Sequence, residues 1–382
     1  MEELKDLREK IDAIDQQMVD LFKQRMEVSK EVAAYKQANG LPTLDAGRER
    51  ALLGKVGEQA GEELADYTQS VYRTILAAGR SYQNACSGVT SKVYETIRKA
   101  LDTTLDLFPQ RATVACQGVE GAYSQIACDS IFKDPTILYF NTFEHVFKAV
   151  ESGMCQYGVL PIENSTAGSV NAIYDLMTKH NFSIVRSARL KVSHNLLCKH
   201  GVKKEDIKEI FSHQQAISQC AGYLSTLKGV KVTVVENTAL AAQMVAQSER
   251  RDVAALSSRF CGELYGLNLL EQNVQDQDNN YTRFICISKN PEIYPGADRT
   301  SLMMTLPHKP GALYNVLSKF YALGINLRKL ESRPLPDREF EFMFYFDLEC
   351  SMYAPEMERI FRDLEEESEH FRYLGTYNEV IC

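Results

Sequence analysis

The stretch Gly158-Val159-Leu160-Pro161-Ile162-Glu163-Asn164-Ser165-Thr166-Ala167-Gly168-Ser169 joins an apolar run to a cluster of polar side chains in the middle of the sequence. The apolar run predicts a buried strand that ends at Pro161, and the polar residues predict a loop after it. Ligands of open α/β sheets bind beyond the carboxyl ends of strands, where the next helix also presents backbone N–H groups. The stretch therefore predicts a binding site, with a simple helix N-cap as the alternative.

Length and composition predict a soluble protein with two or three domains. The 382 residues exceed one ordinary core, and 45% are hydrophobic and 25% charged. A net charge of −8 argues against a nucleic-acid partner. The sequence starts without an apolar signal core and has no run long enough to span a bilayer, so we expect a cytoplasmic protein without a membrane partner. Ten cysteines without a C-x-x-C pair favour reduced thiols over disulfides or a zinc site.

Residues 4–35 carry apolar side chains on a seven-residue repeat, which predicts one long helix with a coiled-coil-like seam. Arg25 occupies a seam position, where a guanidinium needs a charged partner or a ligand. Lys36 follows on the same face about three turns later. Arg8 lies off that face and is expected to serve a site in a second subunit.

Two more helices are predicted before residue 88, one capped by Asp45 and one from about Glu62 to Ser87. Three helices alone would leave the apolar seam exposed, so we expect a partner chain. The charged and amide residues of this region resemble, in order and nearly in spacing, the active-site set of the all-helical chorismate mutases: Arg8, Arg25, Lys36, Asp45, Arg48, Glu49 and Gln83.

The resemblance implies an intertwined dimer that rearranges chorismate to prephenate in one pericyclic step. It implies carboxylate binding by the three arginines, contacts to the ether oxygen by Lys36 and Gln83, and orientation of the ring hydroxyl by Asp45 and Glu49. Catalysis would come from holding a compact conformer and stabilising charge on the breaking ether bond. One departure is Gly79, where members of that family often carry serine, which leaves the role of Ser81 open.

From residue 112 short β-rich runs alternate with helical stretches, which predicts an α/β domain. Strands are expected at Thr113–Cys116, Thr136–Phe140, Gln156–Leu160, Ser183–Arg189, Ile207–Phe211, Lys231–Val235, Val253–Leu256 and Ile285–Ile287. Polar residues follow several of them, among them Ser212-His213 after one strand and Asn279-Asn280-Tyr281-Thr282-Arg283 before the last. Several polar strand ends suggest a cleft between two lobes. For His213 alone, a histidine satisfied by local hydrogen bonds is an equal alternative.

Four motifs together resemble prephenate dehydratase: Gly118-Val119-Glu120-Gly121-Ala122-Tyr123-Ser124, Pro161-Ile162-Glu163-Asn164-Ser165, Ser212-His213 and Thr282-Arg283-Phe284. The resemblance implies a two-lobed fold similar to periplasmic binding proteins, which converts prephenate to phenylpyruvate in the cleft. It implies Thr282 as the hydrogen-bond donor to the departing hydroxyl and Arg283 as a carboxylate anchor. Neutral donors would be Asn164, Ser165, Thr166 and Ser212. Glu163 would assist Thr282, with a structural cap as the equal alternative, and Gln214 stands where that family has proline.

The last eighty residues predict the order βαββαβ of a ferredoxin-like domain. Gly311-Ala312-Leu313 and Glu331-Ser332-Arg333-Pro334 resemble the ACT regulatory domain of dehydratases. The resemblance implies that phenylalanine binds between two such domains, with its carboxylate at the glycine turn and its ammonium near Asn326. A turn glycine and a surface ion pair are the alternative.

The whole chain thus resembles the bifunctional chorismate mutase/prephenate dehydratases. We expect a multidomain protein with an all-α mutase at 1–88, a linker at 89–110, an α/β two-lobed dehydratase at 111–290 and an α+β ACT domain at 298–382. The resemblance implies phenylalanine biosynthesis from chorismate through prephenate, no metal or organic cofactor, feedback inhibition by phenylalanine, and a homodimer or homotetramer. The alternatives are an arogenate-preferring dehydratase and an amino-acid sensor whose catalytic sites have decayed.

Overall fold

The computed structural model describes residues 4–335, 341–354 and 356–382. The chain forms two compact units, Met1–Glu95 with Pro355–Glu367, and Thr96–Ala354 with Ser368–Cys382. The helices are α1 (Leu4–Ala38), α2 (Ala46–Ala60), α3 (Ala65–Cys86), α4 (Lys92–Thr103), α5 (Tyr123–Ile131), α6 (Phe143–Glu151), α7 (Asn171–Met177), α8 (Gln214–Gln219), α9 (Ala221–Ser225), α10 (Thr238–Gln247), α11 (Arg259–Leu264), α12 (Ala312–Ala322) and α13 (Glu356–Glu367). The strands are β1 (Thr113–Gln117), β2 (Thr136–Phe140), β3 (Tyr157–Asn164), β4 (Gly168–Ser169), β5 (Ser183–Lys191), β6 (Asn195–Cys198), β7 (Glu209–Ser212), β8 (Lys231–Val234), β9 (Val253–Ser257), β10 (Asn268–Glu271), β11 (Tyr281–Ser288), β12 (Arg299–Thr305), β13 (Asn326–Pro334), β14 (Phe342–Glu349), β15 (Phe371–Tyr377) and β16 (Glu379–Ile381).

The first unit is helical, as the seven-residue repeat predicts. Gly40 ends the turn after α1 with a φ of 64°, a conformation that glycine adopts without a steric penalty. The Asp45 carboxylate caps α2 by accepting a hydrogen bond from the backbone N–H of Arg48 at 2.9 Å. Only Ser29 and Ala33 of α1 are buried, while the seam side chains such as Ile11 are more than half exposed. The seam is therefore uncovered within one chain.

Helix α13 belongs to the same compact unit as the three N-terminal helices. The backbone N–H of Val93 donates to the carboxylate of Glu365 at 3.1 Å, and the rings of Tyr94 and Phe361 lie 6.3 Å apart. The guanidinium of Arg362 reaches the backbone carbonyl of Ser81 at 3.5 Å. Sequence patterns indicate this helix but not these neighbours, because the contacts join segments more than 260 residues apart.

The second unit contains a two-lobed α/β region with two mixed sheets. One sheet has the order β16-β5-β11-β3-β1-β2, with β4 paired to β3, and the other has the order β10-β6-β9-β7-β8. The chain crosses between the lobes after β5 and returns before β11, so residues 191–195 and 271–281 connect them. The predicted strands are all present, while β4, β6, β10 and β16 were not predicted.

Strand β3 contradicts the prediction that the strand ends at Pro161, because it continues to Asn164. The register against β11 explains why proline is tolerated. Phe284 pairs with Pro161 and Arg283 with Glu163, so Ile162 is an extra residue at a β-bulge. A bulge interrupts the hydrogen-bond ladder at the point where proline offers no N–H. The polar residues Glu163 and Asn164 therefore lie on a strand rather than on a loop.

The C-terminal elements follow the predicted order βαββαβ, from β12 through α12, β13, β14 and α13 to β15. Their antiparallel sheet has the order β13-β14-β12-β15. The sequence predicts a strand over Phe340–Leu348. Strand β14 begins at Phe342, and residue 340 lies outside the described residues. Met303 and Tyr345 of this sheet share a core cluster with Leu160 of β3, so the sheet packs on the α/β region. Among the described residues, no helix combines the length and the apolar character needed to cross a membrane.

Candidate active sites

The helical site contains two buried polar atoms that lack a hydrogen-bond partner within the described part of the chain. These atoms are Nη1 of Arg25 on α1 and Oε1 of Gln83 on α3. Buried polar groups are nearly always paired, so both are candidates to contact a polar ligand. A Cβ placed on Gly79 would lie 3.2 Å from Nη1 of Arg25. Glycine at position 79 therefore leaves space for the Arg25 guanidinium.

Lys36 and Glu49 are half-buried and held by neighbours in the same helical unit. The Lys36 ammonium donates to the backbone carbonyl of Thr43 at 2.6 Å, which uses one of its three donors. The Glu49 carboxylate pairs with Arg80 of α3. Arg8 and Arg48 are exposed at their ends of α1 and α2. The carboxylate of Asp45 is engaged as the cap of α2.

The second site is centred on the carboxamide of Asn164 at the end of β3. Its Oδ1 accepts hydrogen bonds from the backbone N–H groups of Thr166 at 3.1 Å and Ala167 at 2.9 Å. These donors fix the orientation of the amide, because its nitrogen cannot accept them. The Nδ2 group then donates to Thr282 Oγ1 at 2.9 Å and to Asn280 Oδ1 at 2.8 Å.

Four side chains at this site form a closed ring of hydrogen bonds in which every residue donates to the next. Asn164 donates to Asn280, and Asn280 Nδ2 donates to Gln219 Oε1 at 2.9 Å. Gln219 Nε2 donates to Thr166 Oγ1 at 2.7 Å, and the Thr166 hydroxyl donates back to Asn164 Oδ1 at 2.7 Å. The ring joins the two lobes, since Gln219 lies on α8 of the second lobe and Asn164 and Thr166 lie on the first, while Asn280 lies in a segment that connects them. Reversing any one amide would set two donors or two acceptors against each other.

Sequence reasoning missed Gln219, Asn280 and His194 as members of this site. The Nε2 atom of His194 lies 2.9 Å from Oε1 of Gln219, and its Nδ1 is buried without a partner among the described residues. Burial lowers the pKa of His194, so the ring is neutral near pH 7. Asn280 lies in the polar run before β11 that the sequence analysis names. Gln219 is a single glutamine in a short helix, and no local sequence pattern marks it as a site residue.

Three predicted residues around the ring have their polar groups engaged by the fold. Ser165 Oγ donates to the carbonyl of Asn279 at 2.7 Å and accepts from the N–H of Tyr281 at 2.9 Å. The hydroxyl of Ser212, fully buried, donates to the carbonyl of Leu256 at 2.8 Å. His213 caps α8, where its Nδ1 accepts from the N–H of Gln215 at 3.3 Å, and burial lowers its pKa.

Arg283 is buried on the face of β11 opposite to its neighbour Thr282, since successive side chains of a strand alternate. Its guanidinium lies 2.8 Å from a carboxylate oxygen of Glu163 and also pairs with Asp347 of β14. Burial alone would lower the pKa of Arg283. The charges of Asp347 and Glu163 outweigh this effect and raise the pKa above its usual value. Lys329 of β13 is the second cation on Glu163. Thus the structure groups Arg283 with the C-terminal sheet and does not bring it to the ring.

Comparison with known proteins finds relatives of both the helical and the α/β regions. Residues 7–84 match the family model described as chorismate mutase type II, and residues 114–292 match the one described as prephenate dehydratase. A bifunctional chorismate mutase/prephenate dehydratase of Aquifex aeolicus is 30% identical over 387 residues, which cover 100% of this chain and 99% of that protein. The chain belongs to the bifunctional chorismate mutase/prephenate dehydratases. The prediction of a mutase joined to a dehydratase is confirmed.

Two further relatives each match 70% of this bifunctional enzyme. Arogenate dehydratase/prephenate dehydratase 2 of Arabidopsis thaliana is 39% identical over 279 residues, covering 70% of this chain and 73% of that protein. The solved structure of a prephenate dehydratase of Arthrobacter aurescens in complex with L-Phe is 27% identical, with a TM-score of 0.64. That match covers 70% of this chain and 90% of the other.

The predicted effector residues of the bifunctional enzyme divide into two groups. On β13, Glu331 accepts a hydrogen bond from Ser169 and Arg333 pairs with Asp175 of α7 at 3.0 Å, so both contact the dehydratase region. Asn326 instead donates to Glu349 at 2.6 Å. The others are on the surface of the C-terminal region or half-buried in it: Gly311, Ala312, Leu313 and Ser332. Gly311 starts α12 with a φ of 84°, as the predicted glycine turn requires.

Proposed function

We propose that this bifunctional enzyme rearranges chorismate to prephenate at the helical site and converts prephenate to phenylpyruvate at the Asn164 ring. The observation that carries the proposal is the direction of the hydrogen bond from Asn164 Nδ2 to Thr282 Oγ1. Because Thr282 accepts this bond, its own proton is available to a substrate. No metal or organic cofactor is needed for either reaction.

In the proposed dehydration, prephenate loses its ring carboxylate as carbon dioxide and its ring hydroxyl as water. The electron pair of the breaking C–C bond enters the ring, and the C–O pair leaves with the hydroxyl. Thr282 donates its proton to that hydroxyl, which leaves as water, and Asn164 Nδ2 stabilises the negative charge that develops on Thr282 Oγ1. Thr282 Oγ1 then regains a proton from solvent water. Ser165, Thr166, Ser212 and His213 would shape this site through the contacts described above.

Glu163 and Arg283 act, in this proposal, on the opposite face of β3 and β11. Both oxygens of Glu163 face cations, one from Arg283 and one from Lys329. Glu163 would therefore assist Thr282 by holding the end of β3, next to Asn164. The predicted anchoring of a substrate carboxylate by Arg283 would require exchange of one of its two carboxylate partners.

In the proposed mutase reaction, the arginines and the polar side chains around Arg25 enclose the chorismate dianion. Arg25 and Arg48 bind carboxylates together with an Arg8 from a second subunit. Lys36 and Gln83 stabilise charge on the ether oxygen as its C–O bond breaks and the new C–C bond forms, and Asp45 with Glu49 orient the ring hydroxyl. The unpartnered Nη1 of Arg25 and Oε1 of Gln83 support a polar ligand here.

We further propose that residues 298–382 form an ACT domain that binds phenylalanine and inhibits the enzyme, which works as a homodimer or homotetramer in the cytoplasm. Support comes from the βαββαβ order, the Gly311 turn and the phenylalanine bound to the Arthrobacter relative. The exposed seam of α1 supports pairing of subunits.

A time course with chorismate tests the proposal. Purified enzyme should consume chorismate, form prephenate transiently and then phenylpyruvate, and phenylalanine should suppress the product. Prephenate that accumulates without phenylpyruvate would contradict the dehydratase assignment, and supplying arogenate would then test the alternative substrate that the Arabidopsis relative's name suggests. If the protein turned over none of chorismate, prephenate and arogenate but still bound phenylalanine, the result would favour the alternative of an amino-acid sensor whose catalytic sites have decayed.

A further inference from the structure

Helix α13 contributes a carboxylate to a chain of hydrogen bonds that ends at Lys36 of the mutase site. Glu366 of α13 accepts a hydrogen bond from Nδ2 of Asn84 on α3. Oδ1 of Asn84 accepts one from the hydroxyl of Thr43 at 2.7 Å. The backbone carbonyl of Thr43 accepts the bond from the Lys36 ammonium at 2.6 Å. We propose that Asn84 and Glu366 are positioning residues for Lys36, an inference that rests on the proposed role of Lys36 in the mutase reaction.

The charge of Glu366 decides the orientation of the Asn84 amide. A carboxylate accepts hydrogen bonds but cannot donate them, so it selects the orientation in which Nδ2 faces it. The opposite orientation would set Oδ1 of Asn84 against the carboxylate. With Nδ2 fixed on Glu366, Oδ1 is presented to Thr43, and the Thr43 hydroxyl must act as the donor. Asn84 is 4% exposed, so an unmade bond here would be costly.

Thr43 is the residue through which this series of hydrogen bonds acts on Lys36. It lies in the segment between α1 and α2, which is otherwise held at one end by the Gly40 turn and at the other by the Asp45 cap. A bond from the Thr43 hydroxyl to Asn84 pins the same residue whose carbonyl holds Lys36. One ammonium donor is thereby fixed, and the other two are directed by the tetrahedral geometry of the nitrogen. A displacement of about 1 Å at such a group is enough to reduce a rate strongly.

The sequence does not reveal this connection, because Glu366 and Asn84 are 282 positions apart. From the sequence alone, the run Glu365-Glu366-Glu367 predicts only the solvated end of a helix. In the structure Glu366 meets Asn84, while Glu365 binds the N–H of Val93. In chain order, α13 is the second helix of the βαββαβ region.

The test measures mutase kinetics of full-length Asn84→Leu and Glu366→Ala enzymes with chorismate. We expect kcat to fall about tenfold or more while KM changes little, since the ether oxygen needs Lys36 most in the transition state. Dehydratase turnover of prephenate in the same samples should stay within about twofold. Glu356→Ala, another exposed carboxylate of α13, is the matched control and should leave mutase activity unchanged.

A double-mutant cycle with Lys36→Ala separates positioning from general loss of structure. If Asn84 acts through Lys36, Asn84→Leu will cause no further loss of kcat in the Lys36→Ala enzyme. An equal loss in both backgrounds would overturn the inference, as would wild-type kinetics of both single variants. If Lys36→Ala itself turned over chorismate normally, the proposed role of Lys36 would fail first and this inference with it.

Discussion

Asn164 Nδ2 donates a hydrogen bond to Thr282 Oγ1 over 2.9 Å, across the antiparallel pair formed by β3 and β11. The two residues are directly opposite in the register of this pair. A hydroxyl that accepts from a fixed amide turns its own proton away from that amide. This leaves the Thr282 proton free for another acceptor, as the proposed dehydration requires.

Thr282→Ala should abolish phenylpyruvate formation and leave mutase turnover within about twofold, because the helical site lies in a separate compact unit. Thr282→Ser keeps the hydroxyl and should retain a substantial part of the activity. Both reactions are measured on one sample, first with chorismate and then with prephenate. Near-normal dehydration by the alanine variant would exclude Thr282 as the donor.

Gln219→Leu should lower dehydratase kcat by about tenfold to a hundredfold, since it breaks the ring at two bonds, removing the donor to Thr166 Oγ1 and the acceptor of Asn280 Nδ2. Gln219→Glu keeps an acceptor for Asn280 but loses the donor to Thr166, so an intermediate rate is expected. Steady-state kinetics with prephenate provide the comparison. Equal rates for wild type and the leucine variant would remove the ring from the mechanism.

The strand ends that carry the proposed dehydratase site could be predicted from the sequence. The residues of the second lobe that complete the hydrogen-bonded ring could not. Asn164 and Thr282 both stand where an apolar run meets polar residues, which is a local pattern. Gln219 and His194 reach the site only because α8 of the second lobe meets the first lobe, and no local pattern encodes that approach. Strand β3 was predicted too short because Pro161 reads as a strand end unless the bulge opposite Phe284 is known.

The helices and the βαββαβ order were predictable because their apolar periods extend over many residues. Strand β16 was missed since it has three residues, too few for a period to stand out. Glu331 and Arg333 were predicted only as effector residues. Their bonds to Ser169 and Asp175 depend on how the sheet packs against α7, which is a tertiary property.

Gly375→Ala should destabilise the second unit by about 3 kcal/mol or more, because a Cβ there would meet the backbone of β5. The glycine has a φ of 150°, and its Cβ would lie 2.0 Å from the carbonyl oxygen of Ile184. Heat inactivation of the dehydratase reports the change. Gly54→Ala on α2 is the control, since nothing lies within 4 Å of that Cβ. An alanine at 375 without effect would contradict the close packing of β15 on β5.

Glu209→Gln should lower the melting temperature at neutral pH, and the difference from wild type should shrink as the pH falls from about 5 to 2. Lys231, Arg250 and Thr233 hold the Glu209 carboxylate and lower its pKa from 4.5 to about 2. A depressed carboxyl pKa stabilises the fold above the ordinary value, and this contribution disappears as the pH falls through the folded value. Melting curves at a series of pH values give the test.

The control for this pH dependence is Glu263→Gln, which removes an exposed pair with Arg259. Exposed ion pairs contribute about 0–1 kcal/mol, so its melting temperature should follow wild type at every pH. A Glu209→Gln difference that stayed constant down to pH 2 would show that packing, and not charge, accounts for the loss.

Mixing Arg8→Ala with Arg25→Ala enzyme should restore mutase activity, because the proposed site takes Arg25 from one subunit and Arg8 from another. Arg8 is exposed near the start of α1, beside the uncovered seam, whereas Arg25 is half-buried on the same helix. In a mixed dimer, the subunit with intact Arg25 receives the intact Arg8 of its partner, and the other site lacks both. Random exchange between equal amounts should therefore give about a quarter of wild-type activity.

The exchange requires that the dimers separate and re-form, so the variants are mixed in mild denaturant and then returned to buffer. Each variant treated alone is the control, and each should remain inactive. Arg25→Ala mixed with Lys36→Ala provides a second control, since both residues belong to one subunit in the proposed site. In that mixture neither chain carries both Arg25 and Lys36, so no site is complete and no activity should return. No recovery in the first mixture would place Arg8 in the same subunit as Arg25. Recovery in the second would place Lys36 and Arg25 in different subunits.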